Sequence, residues 1–289
     1  MTIESPADVG KLDVRPQRRR RGLGKPMAVL IAVIVLGFLY LPPAVMAIFS
    51  INSSKVETLP IKELSLDWYR ELAGNDKLKS ALFYSLQISI TAVVISLVLG
   101  TAFALIFTRR FKFSRVIELA VILPMLLPGM VLGVSLQLAF RLVGLTPGFL
   151  TMAVAHCVFL VPIVIFVIGQ RLASLDPSLG QASRDLGASA IRGFFTVTLP
   201  LLRTALMAAA LLAFTLSFDE LAVSFFVSGF DQTLPVYVWS LLRLGFTPQV
   251  NAIFTILAVL SVGAVVIAFR VLRKNTKALA RNKAGVQVG

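Results

Sequence analysis

Uncharged runs long enough to cross a bilayer constrain this sequence more than any other feature. A hydrocarbon core about 30 Å thick takes roughly 20 apolar residues as a helix. Residues 26–54, 80–108, 142–170 and 244–269 carry no formal charge, and 116–140 carries only Glu118. A further run, 204–218, is expected to continue past Asp219 and Glu220 into "LAVSFFVSGF". In lipid each backbone polar group must be paired within the chain, and helices do this segment by segment. The expected fold class is therefore an all-α polytopic membrane protein with six transmembrane helices. A basic tail (1–25), a transmembrane domain (26–270) and a second basic tail (271–289) follow in order. The first run is too long for a signal-peptide core, and no small-residue cleavage site follows it. With "RRRRG" before it, it reads as a retained anchor.

Six spans place both tails on one side. Of the 28 basic residues, 21 lie in 1–25, in 109–115, in 171–203 and from Arg270 onward, and seven lie on the other face. That excess marks the tails and the 171–203 loop as cytoplasmic. The net charge of +14 is thus accounted for by topology. No nucleic-acid partner is expected, because the basic residues are divided among separate segments. Cys157 is the only cysteine and His156 the only histidine, so no internal disulfide and no two-histidine zinc site can form. No metal site and no catalytic residue are expected. There is no G-x-S-x-G, and adjacent residues such as His156 and Cys157 do not face each other on a helix. His156 reads as a polar residue satisfied between helices.

The outer segment 53–82 balances five basic against five acidic residues. Leu64, Trp68 and Leu72 are spaced for a short amphipathic helix with Gly74 as its stop. It either covers the ends of the spans or meets a partner. Prolines fall inside several runs: Pro42, Pro43, Pro124, Pro128 and Pro162. "LPMLLPGM" cannot keep a regular ladder, and lipid tolerates the break only beside other protein or water. The third run is therefore expected to face other helices, as a hinge, a path lining or a static kink.

The stretch 171–203 is too elaborate for a connector. Asp176 followed by Pro177 opens a short helix ending near Leu186, Gly187 closes it, and Ser189 caps a second helix. Ala182, Ser183, Ala188 and Ser189 keep the tip slim enough to enter a groove. Phe194 and Phe195 are expected to seat the second helix against the membrane end of the bundle.

"QASRDLGASAIRGFFTVTLP" resembles the signature loop of ABC importer membrane subunits: Glu-Ala-Ala, three residues, Gly, nine residues, Ile, one residue, Leu-Pro. Gln181, Ala182, Ser183, Gly187, Val197, Leu199 and Pro200 fall at those places with the spacing intact. Gln181 replaces the acid, Ser183 an alanine and Val197 an isoleucine, which leaves Asp185 or Arg184 to supply charge toward an ATPase. "SFDELAVSFFVSG" and "TLPVYVWSLLRLGFTPQVNAIFTIL" resemble the second permease subunit of spermidine/putrescine-type importers. There an acidic pair follows Ser-Phe or Ser-Leu, here Ser217 and Phe218 before Asp219 and Glu220. The resemblance covers about residues 80–275 and implies the type I importer permease fold with a cytoplasmic coupling helix, in a bacterial cytoplasmic (inner) membrane. It also implies as partners a second permease, an ATP-binding cassette ATPase dimer and a soluble solute-binding protein. The residues it assigns to ATPase coupling are Gln181, Ala182, Ser183, Asp185, Gly187, Ala188, Leu199 and Pro200.

No G-x-x-x-x-G-K-[ST] loop is present, so ATP is expected on the partner and no cofactor on this chain. Asp219 and Glu220 form the only acid pair within a span, and an ionisable group there is a functional candidate. With Ser217 they are candidates for the substrate path, where two carboxylates suit a primary amine cation. Otherwise they lie at the outer surface or pair with Arg243. The resemblance ranks polyamines first and leaves amino-acid derivatives, opines and ferric ions open. An ion-driven secondary transporter is the rival class, but no inverted repeat relates the halves.

Overall fold

The computed structural model describes residues 24–54, 61, 63–108, 114–244, 248–260, 262–263, 266 and 270. Most of both basic tails, the 109–113 connection, much of 55–62, Thr247 and most of the sixth run after Leu260 lie outside the described residues. The chain divides into two units, Met1–Ile48 with Ala258–Gly289, and Phe49–Leu257.

The first unit contains α1, Gly24–Phe49, which continues as a helix through Pro42 and Pro43. Its side chains from 27 to 45 are exposed on every face. A helix apolar all round is stable in lipid or against another chain, not in water.

The second unit is built around two long helices, α3 (Asp76–Thr108) and α6 (Phe149–Ala173). At 1.5 Å per residue α3 runs about 50 Å, longer than a hydrocarbon core. Ala81, Ser85, Ile88, Ala92, Ser96, Gly100 and Ala104 form its buried stripe at three- and four-residue spacing. The small residues allow close approach. A Cβ added at Gly100 would lie 2.6 Å from Val164 of α6. Such small-residue seams are how helices pack where lipid offers no hydrophobic drive. α6 continues through Pro162, and residues along most of its length are buried.

The remaining elements are α2 (Asp67–Gly74), α4 (Ser114–Leu126), α5 (Gly129–Leu142), α7 (Ser178–Asp185), α8 (Ala190–Gly193), a π-helical turn (Phe194–Thr198), α9 (Leu199–Phe218), α10 (Ala222–Val227) and α11 (Leu234–Leu244). A last apolar helix, α12, spans Pro248–Leu260. Among the described residues, four helices are long and apolar enough to cross a membrane: 27–49, α3, α6 and the continuous stretch Ala190–Phe218. α4 and α5 make a fifth crossing only as a pair bent by 111°. α12 opens the sixth run.

The third run does face other helices in both halves, as expected: Val121 of α4 packs on the core formed by α3 and α6, and Leu132 and Gly133 of α5 are buried. Three sequence expectations need correction. The fifth run is not one helix. α9 stops at Phe218, with Asp219 as its cap, and the chain restarts as α10 at Ala222. Leu64 is not on the amphipathic helix. It pairs with Asn52 in an isolated bridge and is exposed, while Leu72 alone of that trio is buried. Trp68 instead donates its indole N–H to the Asn52 carbonyl at 2.7 Å. Finally Phe195 does not seat the loop. It stacks edge-on against Phe194 and is 60% exposed.

Candidate functional site: an exposed loop and a broken span

The 171–203 loop forms as the sequence requires. Asp176 Oδ1 accepts the Ser178 N–H at 2.9 Å, and these bonds hold its carboxyl below the usual carboxylate range. α7 ends in a full glycine cap. Gly187 N–H donates to the Arg184 carbonyl at 2.8 Å and Ala188 N–H to the Ser183 carbonyl at 3.0 Å. Gly187 has φ +80°, the left-handed conformation this double bond needs. Ser189 Oγ then accepts the Arg192 N–H at 3.3 Å and starts α8. The two short helices touch where a Cβ added at Gly193 would lie 3.0 Å from Ser183 Oγ. The π-helical turn that follows has its reason in Pro200, which has no N–H to donate to Thr196. A widened turn relieves the ladder just before the ring.

Gln181, Ala182, Ser183 and Asp185 sit together on α7, Gly187 and Ala188 form the turn, and Leu199 and Pro200 open α9. Gln181, Ala182, Asp185 and Gly187 are exposed; Ser183 and Ala188 are half-buried. The turn also carries exposed apolar side chains that the sequence reading passed over, Leu186 at 88% and Ile191 at 73%. Arg171 Nε donates to the Leu201 carbonyl at 3.3 Å and ties the two membrane ends of the loop together.

The acid pair stands at the break between α9 and α10, and its two members differ. Glu220 is half-buried, and its Oε1 accepts the Val223 N–H at 2.8 Å, an N-terminal cap on α10. A Cβ added at Gly129, at the start of α5, would lie 3.9 Å from the same oxygen and 3.0 Å from Ala222 Cβ. Two helix N-termini therefore converge near one carboxylate, an electrostatically favourable place for negative charge. Asp219 is exposed, and its carboxylate makes no hydrogen bond or ion pair among the described residues. Neither acid pairs with Arg243. That residue lines a cleft of about 500 Å³ with Phe225, Gln232, Val236, Trp239 and Ser240.

Ser217 is buried and bonded elsewhere. Its Oγ lies 2.7 Å from Nδ1 of His156, and Oγ of Ser224 lies 3.0 Å from Nε2. His156 is thus satisfied at both nitrogens between helices, as the sequence suggested. The packing beneath was missed. In "GMVLG", a Cβ on Gly133 would meet Phe226 at 3.0 Å and the Val223 Cα at 3.1 Å. The Gly-x-x-x-Gly spacing at 129 and 133 was its available signal.

The family described as "Binding-protein-dependent transport system inner membrane component" matches residues 92–279. The chain is 38% identical to the putrescine transport system permease protein PotI of Escherichia coli K12, over 80% of this chain and 85% of PotI. It is 36% identical to the spermidine/putrescine transport system permease protein PotC of Haemophilus influenzae, over 84% and 95%. A chain of a bacterial ABC transporter that imports alginate shares its fold with a TM-score of 0.67 at 20% identity, covering 90% of this chain and 98% of that one. The same transporter type, in complex with an alginate pentasaccharide-bound periplasmic protein, gives 0.68 at 13% identity over 85% and 92%. The fold is that of type I ABC importer permeases. With the matched segment covering the loop, both halves of the broken span and α12, the chain belongs to the binding-protein-dependent transport system inner membrane components.

Proposed function

We propose that this chain is the permease subunit of an ATP-driven polyamine importer, working beside a second permease, an ATPase dimer and a solute-binding protein. The observation that carries this is the 178–198 segment, a capped, glycine-turned plug whose tip leaves Gln181, Asp185, Leu186 and Ile191 exposed among the described residues. Burial of such a tip needs another protein. The tails and this loop lie in the cytoplasm, by the excess of basic residues on that face. Hydrolysis belongs to the ATPase partner, since this chain lacks a phosphate-binding loop. Closure of the ATPase pair pushes the plug, and α6 and α9 rock as rigid bodies that open and close the path.

The polyamine cargo is supported by the names of the relatives and by the chemistry of the break. α9 is about 30 Å long, so the acids stand about a membrane's thickness from the loop, toward the outer side. A primary ammonium shedding water there is stabilised by a free carboxylate at Asp219 and a fixed one at Glu220. Reconstitution into vesicles with the three partners tests the proposal. ATP-dependent, saturable uptake of labelled putrescine or spermidine is expected. Uptake of an opine, an amino-acid derivative or ferric ion in place of polyamines would refute the cargo. Ion-driven uptake without the ATPase would refute the energy source.

A further inference from the structure

The fifth span is interrupted, yet something bridges the interruption. The α9 ladder ends with Asp219 N–H on the Thr215 carbonyl and Glu220 N–H on Ser217, and α10 begins at Ala222. Residues 219–221 belong to neither helix, so no backbone ladder carries stiffness across them. His156 of α6 spans the gap. One ring nitrogen meets Ser217 on the last turn of α9, and the other meets Ser224 on α10.

We propose that His156 is a positioning residue, a clasp that holds α9 and α10 to α6 as one body and so fixes where Asp219 and Glu220 stand. The inference rests on the reading that the broken span belongs to the transport path. Its chemistry is specific. A neutral imidazole offers one donor and one acceptor on a rigid ring, and a serine hydroxyl can complement either. Both hydroxyls and the ring are buried, so removing the ring leaves two unmet polar groups rather than two solvated ones. The ring is further held by Phe159, with centroids 5.5 Å apart. At the opposite end of the same helix, Arg171 grips Leu201. α6 and α9 are thus tied near the loop and again near the break. Displacement of the 178–198 plug reaches Asp219 through α9 itself, and the second tie brings α10, with the Glu220 carboxylate that caps it, along.

The experiment uses the full reconstituted complex in a Cys157→Ala background. Nitroxides are placed at Leu212→Cys on α9 and Phe225→Cys on α10, both exposed positions. The distance distribution between them is expected to be narrow with His156 present and broad in His156→Leu and in the Ser217→Ala/Ser224→Ala double variant. The serine variant keeps the test decisive if His156→Leu does not assemble. Solute moved per ATP hydrolysed is expected to fall at least about tenfold, the factor for the first of the two buried hydrogen bonds left unmade. Leu132→Ala loosens the apolar cluster that Leu132 forms with Ala155, Val223 and Val227, without touching the clasp. It should lower thermal stability yet leave the distribution narrow and the ratio unchanged. A narrow distribution in the serine variant, an unchanged transport ratio, or the same phenotype from Leu132→Ala would overturn the clasp. The spin-label arm needs no cargo. A complex that ignored polyamines would therefore refute the proposed cargo, and the clasp would be decided separately.

Discussion

Gly187 offers a test in which conformation and contact are cleanly separated. A Cβ built there meets nothing within 4 Å, so a side chain causes no clash. The φ of +80°, however, is one that L-residues avoid. Holding a non-glycine residue in the left-handed region costs about 1–2 kcal/mol. The two backbone bonds from Gly187 and Ala188 exist only in that conformation. Substitution therefore tilts the loop between the docked geometry and an opened one. An energy of that size shifts the population by roughly 5- to 30-fold, and the apparent affinity for the ATPase falls by the fraction lost. The order expected is Gly187→Asn mildest, because asparagine tolerates this region, then Ala, then the β-branched Val. Gly180 on α7 is the control. It too has open space around it, and its φ is ordinary for a helix, so Gly180→Ala should be neutral or slightly stabilising. The assay is titration of the purified ATPase against the membrane-embedded permease pair, with uptake measured on the same vesicles. Wild-type affinity in Gly187→Val would refute the argument, since no steric explanation is available to rescue it.

Three further outcomes are expected. Asp219→Asn should cut uptake by an amount worth about 2–5 kcal/mol with the complex intact, the cost of removing a partner from a desolvated charge. Glu220→Gln keeps an oxygen for the Val223 N–H and should lose less, so wild-type transport in both variants would remove the acids from the path. In a Cys157→Ala background, a cysteine at Ser183 should react with membrane-impermeant reagent only from the cytoplasm and one at Arg70 only from outside; the reverse pattern would invert the topology. Gly133→Leu forces side-chain volume against the α10 backbone and should destabilise the purified complex by about 1–3 kcal/mol, read as a lowered Tm.

What could be read from the sequence was what local chemistry decides. Gly187 and Ser189 mark the loop because a left-handed turn and a helix start each demand particular residue types, whatever surrounds them. The breaks were less legible. "LSFDELAVSFF" has no proline or glycine, so nothing local stops a helix at Phe218. The break is held by a tertiary partner, His156 gripping both sides, and Glu220 then caps α10 three residues on. Pro124 and Pro128 announced a disturbance without its size; the 111° turn is set by how α5 settles on α10 through Gly129 and Gly133. Leu64 had the right spacing for α2 but lies three residues before its first turn, where strand-like pairing with Asn52 prevails.

The histidine clasp also bears on the order in which the chain is made. Ser217 lies 61 residues after His156 and Ser224 lies 68 after it. Translation at about 5–20 residues per second separates the ring from its hydroxyls by roughly 3–14 s. During that interval α6 has been synthesised and its imidazole has neither partner. An unmatched polar ring is costly in hydrocarbon. The nascent α6 is therefore expected to linger at the insertion machinery, against protein or water, until α9 and α10 arrive and release it into the bundle.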